Sequence, residues 1–416
     1  MTNRETSRET SRETSRETIR RISARMAERG LHTEPDTGLT FFSGYTDHTL
    51  FDWDQYFENL AAFYCGWDSR YLAAGMRIYL HHQREDGFIP RAIRVVRFPE
   101  EEDEMVKPFL WQEAFLLYRR DRTLAFLDGE EWARMHRYLR FWLTGRDKGG
   151  RGLPCWNSGP HTGMDTQHER AGHWNDFRSE GVDLACYLVR ECDACVALGR
   201  LRGEDPALLG EFAAHGARLR GLIETLMWDE DRGQYFDLDR ATGERNPVSY
   251  VGTFAPLWAG IPDAQRARRL VEEHLANPDE FWRPFPLPAL SAREPGYTGG
   301  ALPGDIGCSW RAHTWMPTNY YIMHGLLRYG YRDLAHLLAA RSRALLDRSG
   351  DREYYRSETG EGCGQDPFWG WSLLGYFMEM EVETGYDPTA LALSPADVLL
   401  LRADREGPAD PASRTS

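Results

Sequence analysis

The chain has 416 residues and a formal net charge of −14, with 41% hydrophobic and 12% aromatic content. That is ample apolar material for a large core, while the acidic surface repels nucleic-acid phosphates and no basic run offsets it. No stretch of about 18 apolar residues is present to cross a bilayer, and no charged-then-apolar leader precedes the chain. The expectation is therefore a cytoplasmic protein with neither a membrane nor a nucleic-acid partner.

Residues 4–18 repeat Arg-Glu-Thr-Ser with no apolar residue. Such a segment cannot drive burial, and a flexible polar tail is expected over 1–18, although the spacing of Glu5 and Arg8, and of Glu9 and Arg12, also suits a lone helix. A second polar tail is expected over 404–416. Between them, 19–403 reads as one domain. Helical periodicity recurs there, as in Trp132, Met135, Leu139 and Trp142, or in Leu334, Leu337, Leu338 and Leu345. Helical segments are predicted near 54–66, 69–84, 107–121, 125–144, 179–203, 205–228, 249–259, 263–275, 313–329, 331–349, 367–384 and 394–402. Short links such as Gly330 favour antiparallel neighbours. Twelve segments in six hairpins predict an all-α fold, an (α/α)6 barrel with six inner helices lining a funnel and six outer helices behind them.

Long loops interrupt the pattern at 30–53, 86–106, 146–178, 277–312 and 350–366, and loops of that length usually carry function. Arg91–Arg97 is followed by the acidic Glu100–Glu104, a solvated loop with internal charge balance. Trp228–Glu244 reads as a helix end and a small hairpin. The seven cysteines are an odd count and suit a reducing compartment. Cys192 and Cys195 form a C-x-x-C within a helical pattern and lack a second pair, so neither a metal nor a cofactor is expected.

Four stretches hold candidate chemistry. Phe51-Asp52-Trp53-Asp54 opens a helix; Asp54 suits either a helix cap or an acceptor for sugar hydroxyls, with Trp53 as a stacking face. Tyr45 and His48 lie just upstream. In the glycine-rich 156–165 segment, Asp165 is presented on a closely approached loop. Apolar walls would keep such a carboxyl protonated, as a glycosidic leaving oxygen requires. His161, His168 and His173 surround it, but their spacing matches no helical metal-ligand set. In 350–366, Glu353, Glu358 and Glu361 are each a candidate for the second, ionised carboxylate that activates water. In 308–319, Arg311 is a candidate to hold a carboxylate.

Together and in this order, these stretches resemble glycoside hydrolase family 63 and, more remotely, the trehalases; within the family the small bacterial mannosylglycerate and glucosylglycerate hydrolases are most similar. The resemblance covers roughly 40–385. Phe51–Asp54 resembles the stretch that grips the innermost sugar. Gly87-Phe88-Ile89-Pro90, Lys107-Pro108-Phe109 and Gln112 resemble further landmarks. Trp310-Arg311 with Trp315 and Asn319 resembles a helix entry in which Gly and Pro usually stand where Ala312 and His313 stand here. Pro160–Gly163 is an apparent insertion before Met164-Asp165.

The resemblance implies a catalytic acid at Asp165 and a base at Glu353, the Glu preceding Tyr354-Tyr355 and Thr359-Gly360. It implies a substrate-binding set of Tyr45, His48, Phe51, Trp53, Asp54, Gln112, Trp310, Arg311, Trp315 and Trp371. Tyr45, His48 and Gln112 would meet glycerate, and Arg178, Arg311 and Arg356 are candidates for its carboxylate. The implied activity is inverting hydrolysis of a small-molecule hexosyl-glycerate, with the carboxyls about 6.5–9.5 Å apart. Two other classes are consistent with the residues: a sugar epimerase or isomerase using His161, His168, His173 or His313 as bases, and a non-catalytic glycan-binding protein. Mannose versus glucose, and monomer versus homo-oligomer, are left open by the sequence.

Overall fold

The computed structural model describes residues 3–45, 48–93, 103–302, 308–366, 368, 370–394 and 397, with side chains described from residue 16 onward. Thirteen helices are present among them. Six form the inner ring: α2 (Asp52–Tyr64), α4 (Leu110–Asp121), α7 (Val182–Arg202), α9 (Ala255–Ala259), α11 (Met316–Arg328) and α13 (Leu374–Thr384). Each packs on the next, and α13 returns to α2, so the ring closes. These helices are apolar or buried nearly all round, as helices inside a large core must be.

The outer layer comprises α3 (Ser69–His81), α5 (Gly129–Arg140), α8 (Pro206–Leu222), α10 (Ala264–Arg269) and α12 (Arg332–Ser349). The sixth outer helix is α1 (Asn3–Arg29), where the sequence reading expected a tail. Its C-terminal half buries Ile22 and Met26, with Ile19 half-buried. Ser23 Oγ accepts a hydrogen bond from Trp67 Nε1 at 2.9 Å. Once that half is anchored, helix continues through the polar repeat because propagation needs no new nucleus. The predicted segment near 394–402 and the predicted tail 404–416 lie, apart from Ser394 and Asp397, outside the described residues. The small hairpin is present, with Trp228–Asp229 pairing antiparallel to Gln234–Tyr235.

The two layers begin their helices differently. Four outer helices start on aspartate caps, namely Asp68, Asp128 with a full capping box to Glu131, Asp205 and Asp263, whereas α12 follows Tyr331 without a side-chain cap. Inner helices follow Phe51, Phe109, Gly181, Phe254, Trp315 and Leu373, none of which makes a side-chain cap bond. Carboxylates from elsewhere serve instead. Glu191 accepts from Trp111 N and Gln112 N, both at 3.0 Å, and Asp237 accepts from Val182 N at 2.9 Å. The buried starts of α4 and α7 are thus supplied with acceptors for their first N–H groups.

The middle of the ring is filled by interlocked rings. Tyr56, Phe109, Tyr187, Tyr321 and Trp258 stack or meet edge to face in sequence, all buried. Arg190 lies 3.6 Å over the Trp258 ring. This plug leaves open space at the end where the inner helices begin.

Candidate active site

A cavity of about 280 Å³ sits at that mouth. Its walls come from the residues at or just before the N-termini of α2, α4, α11 and α13, and from the loop carrying Asp165. One wall is a column of rings. Trp53 and Trp310 have centroids 5.4 Å apart, Trp310 stacks on Trp315 at 3.8 Å, and Trp315 stacks on Tyr354 at 4.5 Å. Phe51, Tyr45 and Trp371 line the same cavity. Stacked pairs of this kind add about 0.5–1.5 kcal/mol each beyond burial and hold the wall in one shape.

Asp165 is presented by a braced loop. Pro160–Thr162 form one 3₁₀ turn, and Gly163 reverses the chain with φ +82. A Cβ at Gly163 would fall 2.9 Å from the Trp53 ring, so glycine is required twice over, by conformation and by space. Beyond Asp165, Thr166 Oγ1 accepts from Trp310 N at 2.9 Å, and Gln167 Nε2 donates to Ala289 O and Trp310 O at 3.1 Å each. The one-turn helix α6 (His168–Ala171) follows, and its Arg170 is buried between Asp237 at 2.7 Å and Asp183 at 2.8 Å. Burial pushes the Asp165 pKa up to about 6 against the pull of Arg91, the Cys308 N–H and Lys107.

Glu353 precedes the strand Tyr354–Arg356, which pairs with His313–Thr314 and Gly362–Cys363. Its Oε1 accepts from Tyr45 OH at 2.8 Å and from Cys308 Sγ at 3.0 Å, and its Oε2 from Gln365 N at 2.9 Å. Trp371 Nε1 fixes its carbonyl at 2.9 Å. The other two candidate carboxylates are elsewhere. Glu358 is held by Arg283 and Tyr297 on the surface, and Glu361 is exposed and paired with Arg356 at 3.1 Å.

The α2 entry divides labour between two aspartates. Asp52 is the anchor: it accepts from Trp53 N at 2.7 Å, Lys107 N at 3.0 Å and Lys107 Nζ at 2.9 Å. Asp54 lines the cavity. Burial and neighbouring Asp52 push its pKa up to about 8, so near neutral pH it both donates and accepts.

Seven of the ten expected substrate-binding residues therefore converge: Tyr45, Phe51, Trp53, Asp54, Trp310, Trp315 and Trp371. Three do not reach the cavity wall. His48 stacks on His32 at 4.0 Å on the surface. Gln112 lies within α4, where its Oε1 accepts from Arg190 Nε at 2.8 Å. Arg311 turns outward to Glu169 at 2.8 Å. The expected cations for a carboxylate are also displaced: Arg178 pairs with Asp239 at 3.1 Å, and Arg356 donates to Gly299 O at 2.7 Å. Among the described residues, the cations that line the cavity are Lys107 and Arg91. Arg91 is steadied by Glu104 at 3.0 Å and Pro160 O at 2.6 Å, a pairing across the charged loop whose residues 94–102 lie outside the described set. No residue pattern singled out Arg91 or Cys308 as wall residues, since both depend on loops folding back over long distances.

None of the four loop histidines lines the cavity. His161 is buried against Trp142 and Trp156, with Nδ1 accepting from Asn157 N and Nε2 facing Met105 O. Burial holds its pKa well below the usual range. His168 and His173 stack on each other at 4.7 Å. Burial lowers His313 to a pKa of about 4.

Residues 47–372 match the model of the mannosylglycerate hydrolase MGH1-like glycoside hydrolase domain. A mannosylglycerate hydrolase of Thermus thermophilus is 34% identical over 199 residues, 47% of this chain and 44% of that protein. One from Rubrobacter radiotolerans is 30% identical over 192 residues, 46% of this chain and 41% of that protein. The matched part thus spans less than half the length of these curated relatives. In fold, the chain superposes on a family 63 mannosylglycerate hydrolase of Thermus thermophilus, in complex with Tris and D-glycerate, with TM-score 0.69 at 21% identity, covering 86% of this chain and 99% of that one. A neutral trehalase of Saccharomyces cerevisiae superposes with TM-score 0.65 at 16% identity, covering 90% and 82%. Among the described residues no helix is long and apolar enough to cross a membrane. With the model matching well over half of its length, the chain belongs to the MGH1-like family of glycoside hydrolases.

Proposed function

We propose that this protein hydrolyses a 2-O-α-hexosyl-D-glycerate, mannosylglycerate first and glucosylglycerate as the alternative substrate, with inversion at the anomeric carbon. The observation that carries this reading is the pair of unlike carboxyls on one aromatic cavity. Asp165 is raised to a pKa of about 6 by burial, whereas Glu353 is fixed by hydrogen-bond donors on both oxygens. Environments that separate two carboxyls in this way assign acid and base roles. Asp165 protonates the leaving glycerate oxygen, and Glu353 takes the proton of the water that attacks from the opposite face.

The ring column and Asp54 hold the hexose. Arg91 meets the glycerate carboxylate, and the inner-helix N-termini that converge on the cavity add positive potential there. An anionic substrate is thus accommodated in a protein of net charge −14. The relatives named as mannosylglycerate hydrolases support the choice of aglycone.

Proton NMR of the first-formed sugar tests the reading. β-Mannose from mannosylglycerate is expected, and α-mannose would exclude inversion. Assays on mannosylglycerate, glucosylglycerate, trehalose and kojibiose set the substrate. No turnover of either hexosyl-glycerate would overturn the aglycone assignment.

A further inference from the structure

The acid and the base meet through one residue. The Cys308 backbone N–H donates to Asp165 Oδ2 at 3.2 Å, and Cys308 Sγ lies 3.0 Å from Glu353 Oε1. The cysteine is a free thiol at the cavity wall. An ionised carboxylate only accepts, so the proton of this contact belongs to sulfur. Burial, with Glu353 and Asp165 on either side, pushes the thiol pKa far above its ordinary range. Sulfur therefore serves as a donor, not as a nucleophile. Tyr45 OH converges on the same Oε1, leaving the Gln365 N–H on the other oxygen.

We propose that Cys308 is a positioning residue for hydrolysis: its S–H holds the Glu353 carboxylate aimed, while its own backbone N–H holds Asp165, so a single residue bridges the catalytic pair. This rests on the assignment of Asp165 and Glu353 given above. A residue acting only as filler would be replaced without loss by an apolar side chain of similar size. A donor is replaced only by another donor.

The test compares Cys308→Val, Cys308→Ala and Cys308→Ser in the full chain, with mannosylglycerate as substrate. Val and Ala should lower kcat roughly tenfold or more with KM little changed, and should move the acidic limb of the pH profile upward, because the base loses a donor. Ser should restore kcat and the limb to near native. Native kcat and pH profile in Val, or Ser as impaired as Val, would overturn the proposal. Thermal unfolding and far-ultraviolet circular dichroism of each variant separate a folding defect from a lost donor, and a natively folded Val variant with native kcat overturns the proposal. Asp165→Asn and Glu353→Gln are assayed alongside: both active means the catalytic assignment itself is wrong, whereas both inactive with a native Val variant means that only the bridge is wrong.

Discussion

Lys107 Nζ lies 2.9 Å from Asp52 Oδ1 and 3.0 Å from Oδ2, with both side chains 2% exposed. The same ammonium sits 5.6 Å over the Trp53 ring. One buried ion pair therefore fixes the start of α2 and the first ring of the aromatic wall. Lys107→Met should leave Asp52 uncompensated and cost about 3–5 kcal/mol, whereas Lys107→Met with Asp52→Leu should recover much of that loss. Urea unfolding of the single and double variants checks it. Loss of the Lys107 charge should also raise the pKa of Asp165, which it now pulls down.

The pH dependence follows from Asp165. Its folded pKa of about 6 is above the ordinary carboxylate value, so the folded chain keeps a proton that the unfolded chain releases. The stability contribution is fully present below about pH 4, declines as pH rises, and is lost above about pH 6, a swing of about 3 kcal/mol. Asp165→Asn should flatten that part of a stability profile measured by urea unfolding at pH 4.5 and pH 7. In native protein, kcat/KM should fall as pH rises through about 6, as the acid gives up its proton.

Gly163→Ala should injure the site without touching a charge. The left-handed backbone disfavours alanine, and the new Cβ meets the Trp53 ring 2.9 Å away. A loss of about 1–3 kcal/mol in stability is expected, with a raised KM because Trp53 is pushed into the cavity. Thermal unfolding and steady-state kinetics read the two effects separately.

Arg91→Ala should weaken binding of a carboxylate-bearing aglycone by roughly 10- to 100-fold, the worth of a charged hydrogen bond of about 1.5–3 kcal/mol. A neutral glycerol aglycone on the same hexose should lose far less. Comparing KM for hexosyl-glycerate and hexosyl-glycerol in both proteins checks the assignment. An equal loss on the two would show that Arg91 only braces the loop through Glu104 and Pro160.

The barrel was readable because inner and outer helices both leave apolar positions at helical spacing, as in Trp132, Met135, Leu139 and Trp142. The helix over 3–29 is not legible in the sequence, where a polar tail is expected over 1–18. Its repeat has no apolar stripe, and the anchoring residues Ile19, Ile22 and Met26 were too few to outweigh it. In the site, residues bound to the starts of helices were legible: Trp53 and Asp54 in the first turn of α2, Trp310 and Trp315 before α11. Long polar side chains whose partners lie far away in sequence were not. Arg311 faces Glu169 and Gln112 faces Arg190, and neither choice leaves a mark in the local sequence. Arg91 and Cys308 acquire meaning only when the chain brings them to the same cavity wall.

The aromatic plug that fills the ring from Tyr56 to Trp258 makes the cavity a cul-de-sac. Ligands enter and depart by one opening, so departure is ordered. Under the proposed reaction, the group nearest the opening departs first and a sugar held behind it departs last, while a chain threaded through the ring from both sides does not fit.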